Sequence, residues 1–131
     1  MKGTILCVDD EPVVLHSLKA QLRRRFVDDF QLEMAESVDE ALELLDDVHD
    51  PESDLVVISD WLMPGIRGDE FLIKVSKLHP RAVLILLTGQ ADATAIARAR
   101  DQATLDECLQ KPWMEDVLGE VIAKSLERRR S

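Results

Sequence analysis

The features that most constrain this chain are two short aliphatic runs, Leu55 to Ser59 and Val83 to Leu87. Runs of this length, rich in Val, Ile and Leu and without alternation, suit strands buried on both faces of a parallel sheet. A sheet covered on both faces needs helices on both sides. Each run also stops on a polar group, Asp60 after the first and Thr88 after the second. Asp60 is followed by Met63-Pro64-Gly65, a turn. In an open parallel sheet, the carboxyl ends of the strands are where ligands bind.

Three weaker runs complete the set. Ile5 to Val8 ends on Asp9-Asp10, and Glu107 to Gln110 ends on Lys111-Pro112. Phe30 to Met34 alternates apolar and polar residues, as a half-exposed edge strand does. Between the runs lie helical patterns. Pro12 opens the first, with Val14, Leu15, Leu18 and Leu22 on one face. Ser37-Val38-Asp39-Glu40 has capping-box spacing ahead of Ala41, Leu42 and Leu45. Phe71, Leu72, Val75 and Leu78 mark a third helix, the Ala-rich stretch Ala91 to Arg100 a fourth, and Val117, Leu118, Val121, Ile122 and Leu126 a fifth. Five alternations predict an α/β doubly wound fold, with a five-stranded parallel sheet and right-handed crossovers. Placing the most apolar strands inside gives the order 2-1-3-4-5, with the switch point between the first and third strands. Asp9, Asp10 and Asp60 then meet in one crevice. Cys7 and Cys108 fall on non-adjacent strands, so no disulfide is expected.

At 131 residues the chain is one domain, read as residues 1–127, with Arg128 to Ser131 a basic end where a linker would start. The balance of 26 acidic against 16 basic residues, net charge −10, argues against direct nucleic-acid binding. No apolar run is long enough for a membrane span. Two cysteines without metal-type spacing suit buried thiols in a reducing cytoplasm.

Three carboxylates brought together repel one another unless a cation intervenes. A hard, oxygen-liganded ion with room for waters fits Mg²⁺. Lys111 contributes a point charge and Thr88 a hydroxyl, both suited to an oxyanion beside the metal. Taken alone, Asp9-Asp10-Glu11 would be an ordinary acidic helix start, Thr88 a turn residue and Lys111 a surface charge. Together they describe a carboxylate built to accept or cleave a phosphoryl group.

The set Val8-Asp9-Asp10-Glu11, Ser59-Asp60-Trp61-Leu62-Met63-Pro64-Gly65, Leu87-Thr88-Gly89 and Lys111-Pro112-Trp113 resembles the receiver domain of two-component response regulators, a flavodoxin-like (βα)5 fold. The likeness runs from about Thr4 to Leu126. It implies that Asp60 takes a phosphoryl group from a sensor histidine kinase, a phosphotransfer protein or a small acyl phosphate. It implies that Asp10, Asp60 and the Leu62 backbone carbonyl bind Mg²⁺ directly, while Asp9 acts mainly through water. Thr88 would bond a phosphoryl oxygen, Lys111 would pair with its charge, and the Lys111-Pro112 peptide would be cis. The implied function is a cytoplasmic binding switch that assists its own phosphorylation and dephosphorylation, not a turnover enzyme, acting on an effector domain or partner protein. The Ala91–Arg100 helix, the fifth strand and the last helix form the surface expected to meet a partner or a second copy. Leu-Thr-Gly with Lys-Pro-Trp is similar to receivers placed before HD-type cyclic-dinucleotide phosphodiesterases or hydrogenase-type transcription regulators.

One departure stands out. Receivers usually carry Tyr or Phe three residues before the lysine, and here that position is Cys108. Two alternatives from other classes also use this kind of strand-end chemistry. A haloacid-dehalogenase-type Mg²⁺ phosphatase would want an acid two residues after Asp60, where Leu62 stands. A flavodoxin-like FMN binder would want a Ser/Thr/Gly-rich phosphate loop in place of Asp9-Asp10-Glu11.

Overall fold

A computed structural model describes residues 3–48, 53–63, 65–89, 93–103 and 105–130. The elements alternate as β1 (Gly3–Val8), α1 (Pro12–Phe26), β2 (Phe30–Ala35), α2 (Val38–Asp46), β3 (Asp54–Asp60), α3 (Gly68–Leu78), β4 (Val83–Thr88), α4 (Ala93–Ala103), β5 (Glu107–Gln110) and α5 (Glu115–Arg130). The strands form one sheet in the order β2-β1-β3-β4-β5, every pair parallel. The expected fold class and strand order are both found.

Alternation along each strand divides the core in two, because successive side chains point to opposite faces. Leu6 and Val8 of β1, Val57 of β3 and Leu84 and Leu86 of β4 pack with α2 and α3. Ile5 and Cys7, Val56 and Ile58, and Val83, Ile85 and Leu87 face α1 and α5 instead. All six residues of β4 are buried. At about 1.5–3 kcal/mol for each fully buried large aliphatic side chain, the central strands supply the strongest drive to this layering. Edge strand β2 buries its two ends and leaves Gln31 exposed.

Local signals place the helix starts. Pro12 sits in the first turn of α1, and the Ser37 side chain caps α2 by accepting the Glu40 N–H at 3.1 Å. The Glu40 carboxylate reaches back to the Glu36 N–H at 3.3 Å, one residue earlier than an ideal box. Three local expectations differ from the structure. β3 takes in Asp60 as its last residue, because the Asp60 backbone still pairs with Leu87 of β4. Leu78 and Val117 follow the apolar spacing of α3 and α5 yet are exposed, near the end of α3 and the start of α5. The fourth helix, described from Ala93, runs on to Ala103, past the expected end at Arg100; Ala91, Pro51 and the turn residue Pro64 lie outside the described residues.

Register carries the strand ends to a common level. Val8 lies opposite Ser59, Asp60 opposite Leu87 and Thr88 opposite Gln110. Backbone bonds continue just beyond: Asp9 N–H to Ala35 O at 3.1 Å, Trp61 N–H to Leu87 O at 2.9 Å, and Lys111 N–H to Thr88 O at 2.8 Å. Asp9, Asp60, Thr88 and Lys111 thus stand in a row along the carboxyl edge of the sheet.

Candidate functional site

The row opens into a cleft of about 680 Å³ lined by Asp10, Glu11, Asp60, Trp61, Leu62, Met63, Gly89 and Lys111. Asp9 lies under it, fully buried, and both its oxygens are engaged. Oδ1 accepts the Glu11 N–H at 2.8 Å, and Oδ2 accepts from Lys111 Nζ at 3.0 Å. The same Nζ stands 3.1 Å from Asp60 Oδ1 and 3.8 Å from Glu11 Oε1. Asp10 is exposed, its side chain facing the open cleft. Carboxylate oxygens of Asp9, Asp10, Glu11 and Asp60 all lie within 4.8 Å of one another. One ammonium cannot neutralise four such groups.

The imbalance shows in the protonation of Asp60. Burial pushes its carboxyl above the usual range; the hydrogen bond from Lys111 pulls it down, and the charges of Asp9 and Asp10 add to the rise. For Lys111, burial works against the charged form. Its hydrogen bonds and charge attraction to Asp9 and Asp60 outweigh burial, so its pKa is raised and it remains an ammonium.

The donor set tests whether Mg²⁺ suits this place. It offers only carboxylate oxygens and nearby backbone carbonyls, with no Cys or His among the clustered groups, and the cleft leaves space for water. That is the chemistry a hard divalent cation takes. Leu62, 64% exposed, lines the cleft and has no acid to offer. Thr88 is buried at the end of β4, its carbonyl holding the Lys111 N–H. The Lys111-Pro112 peptide is cis, as expected.

Glu11, Gly68 and Gln21 were not singled out from the sequence as parts of the site. Glu11 is a fourth carboxylate in the cluster, legible as a neighbour of Asp10 but not as a neighbour of Lys111. Gly68 lets the start of α3 pass under β3: a Cβ there would lie 2.0 Å from the Asp60 carbonyl oxygen. Its N–H also bonds the Trp61 carbonyl at 2.7 Å. Gly65, with φ at +92°, makes the turn between them in a conformation other residues rarely adopt. The third contributor is Gln21 of α1, far from the site in sequence, which accepts a hydrogen bond from Trp113. Trp61 lines the cleft while packing half-buried against the α2–α3 side of the core, and its Nε1 finds no partner among the described residues.

Comparison with known proteins agrees with this geometry. Residues 5–123 match the response regulator receiver domain family. The chain is 32% identical over 126 residues to the hydrogenase transcriptional regulatory protein HoxA of Cupriavidus necator, covering 96% of this chain and 24% of that protein. It is 31% identical over 116 residues to a two-component response regulator of Oryza sativa subsp. japonica, covering 86% of this chain and 90% of that one. Among solved structures, the signal receiver domain of an HD domain-containing protein from Pseudomonas fluorescens Pf-5 superposes with a TM-score of 0.88 at 29% identity, covering 99% of this chain and 98% of that one. This chain spans about a quarter of the length of the HoxA and DctD regulators it matches. The phosphatase and flavin alternatives find no support, since Leu62 stands where the phosphatase acid belongs and the loop after β1 is acidic.

Proposed function

Because the chain belongs to the receiver domain family of two-component response regulators, we propose that Asp60 is its phosphoryl acceptor and that Lys111, Thr88 and the acidic cluster serve that transfer. The observation that carries this reading is the Lys111 ammonium held between Asp9 and Asp60, at 3.0 and 3.1 Å, at the mouth of an otherwise anionic cleft.

A carboxylate oxygen of Asp60 attacks the phosphorus of a phosphohistidine or acyl phosphate. The bond from phosphorus to the donor breaks, the donor keeps that electron pair, and Asp60 becomes an acyl phosphate. A carboxylate kept short of counter-charge is a better nucleophile than one fully hydrogen-bonded, and Asp60 shares the Lys111 ammonium with Asp9. Asp10, Asp60 and the Leu62 carbonyl would hold Mg²⁺ directly. Asp9, with both oxygens engaged, would act through water. Bound there, Mg²⁺ would offset the carboxylate charges and those of the phosphoryl oxygens. Lys111 Nζ transfers its hydrogen bond from the Asp60 carboxylate to a phosphoryl oxygen, and the Thr88 hydroxyl donates to another. Leu62 stands at the position two residues after Asp60 where a phosphatase of this chemistry would carry its acid, so the domain works as a stoichiometric switch rather than by turnover.

The partners in this reading are a sensor histidine kinase or phosphotransfer protein as donor, and an effector domain or partner protein as receiver of the signal. The face made by α4, β5 and α5 is the surface offered to that partner or to a second copy, in a protein of the cytoplasm whose two cysteines are free thiols. No described helix is long and apolar enough to cross a membrane. The receiver is taken as residues 1–127, with α5 continuing through Arg130 and Arg129 pairing with Asp106.

The test is incubation with acetyl phosphate and Mg²⁺, read by intact mass. Wild type should gain one phosphoryl group and Asp60→Asn none; a gain in both proteins, or in neither, removes Asp60 from the role.

A further inference from the structure

Lys111 is a long, flexible side chain, and its ammonium can bridge Asp9 and Asp60 only if its backbone is held still. Two anchors flank it. Before it, the Lys111 N–H bonds the Thr88 carbonyl at 2.8 Å. After it, Trp113 packs against the α1–α5 side of the core and donates its indole N–H to Gln21 Oε1 at 2.7 Å. Gln21 belongs to α1, the helix that starts directly after Asp9-Asp10-Glu11. The bond therefore ties the element that follows the acid pair to the loop that carries the lysine.

Two ion pairs join α1 to α5 nearby, Arg24–Glu115 at 2.6 Å and Arg25–Glu120 at 3.0 Å. Both are solvent-exposed, with side chains 40–59% accessible, so each holds position weakly. Gly119 lets the second pair close, since a Cβ there would lie 2.5 Å from Arg25 Nη1. The Gln21–Trp113 bond is partly buried and directional, and it stands two residues from Lys111.

We propose that Gln21 and Trp113 are positioning residues, setting where the Lys111 ammonium stands between Asp9 and Asp60. This rests on the reading of Asp60 as phosphoryl acceptor and deepens it. Neither residue touches the cleft; both act through the Lys111 loop.

The experiment measures the rate of phosphoryl uptake from acetyl phosphate with Mg²⁺, by intact mass, alongside urea unfolding. Trp113→Phe keeps a ring and removes the donor, Gln21→Leu removes the acceptor, and Gln21→Glu keeps an acceptor oxygen. Trp113→Phe and Gln21→Leu should each slow uptake roughly threefold to tenfold, the share of one hydrogen bond in a barrier. Their combination should be no slower than the slower single variant, because both remove the same bond. Gln21→Glu should recover most of the wild-type rate. Wild-type rates in Trp113→Phe and Gln21→Leu, additive losses in the double variant, or a lowered urea midpoint with unchanged uptake would overturn the proposal. Asp60→Asn in the same assay separates the two claims. Uptake by that variant defeats the acceptor reading itself, whereas its silence together with wild-type rates in the Gln21 and Trp113 variants defeats only the positioning role.

Discussion

Two aspartates with covered side chains, at opposite ends of the sheet, show what sets the site apart. Asp60 closes β3 at the carboxyl edge, and Asp106 precedes β5 at the amino edge; each side chain is 8% exposed. Asp106 Oδ2 accepts the Leu84 N–H at 2.8 Å and a hydrogen bond from Arg129 at 3.0 Å. Its own N–H meanwhile bonds the Leu84 carbonyl at 2.9 Å. Asp60 divides one lysine with Asp9 and faces two further carboxylates. Equal side-chain burial thus gives a structural strut in one case and an under-compensated carboxylate in the other. What differs is the number of donors aimed at each carboxylate, and a buried charge is stable in proportion to them.

The comparison can be broken or sharpened in three ways. Gly68→Ala should have the largest effect, because the added methyl meets the Asp60 carbonyl at a backbone that cannot yield. A loss of about 3 kcal/mol by urea unfolding is expected, at the upper end for overpacking, together with slower phosphoryl uptake. Unchanged stability and uptake in the Gly68→Ala protein would mean the end of β3 is looser than its contacts imply. Next, Asp106→Asn keeps an oxygen for Leu84 N–H but removes the charge that faces Arg129. It should lose about 1–2 kcal/mol with uptake unaltered. If uptake fell while stability held, the two ends of the sheet would not be separable in the way proposed.

The smallest effect is a pH dependence measured without Mg²⁺. The Asp60 carboxyl is raised above its ordinary value of 3.8, first by burial and then by Asp9 and Asp10 against the pull of Lys111. The folded protein therefore holds this proton more tightly than the unfolded chain does. The cost of ionising it is absent below the ordinary value and grows as pH rises from there through the folded-state value. Asp60→Asn should accordingly gain stability relative to wild type across that window, with the gap closing on acidification. Parallel stability–pH curves for the two proteins would contradict the raised pKa.

Much of the scaffold was legible because it follows from short-range patterns. Two doubly buried runs required central parallel strands, the apolar periods required helices between them, and register then carried Asp9, Asp60, Thr88 and Lys111 to one edge. The Ser37–Glu40 cap and the free state of Cys7 and Cys108 followed from local spacing and strand order. Periodicity could not tell that Leu78 and Val117 are exposed, since an apolar stripe marks a face and not how completely its neighbours cover it.

The sequence by itself determined the order of the strands and which polar groups end them. Tertiary structure alone decided how those groups share their charge. Asp9 has both oxygens occupied, Asp10 remains open to the cleft, and Asp60 keeps only part of one lysine. It also decided that Gly68 must be small beneath Asp60 and that Gln21 should meet Trp113 across 92 positions of chain. Hydrogen bonds and steric contacts act over a few ångströms of space, and only the folded chain brings residues so far apart in sequence within that distance.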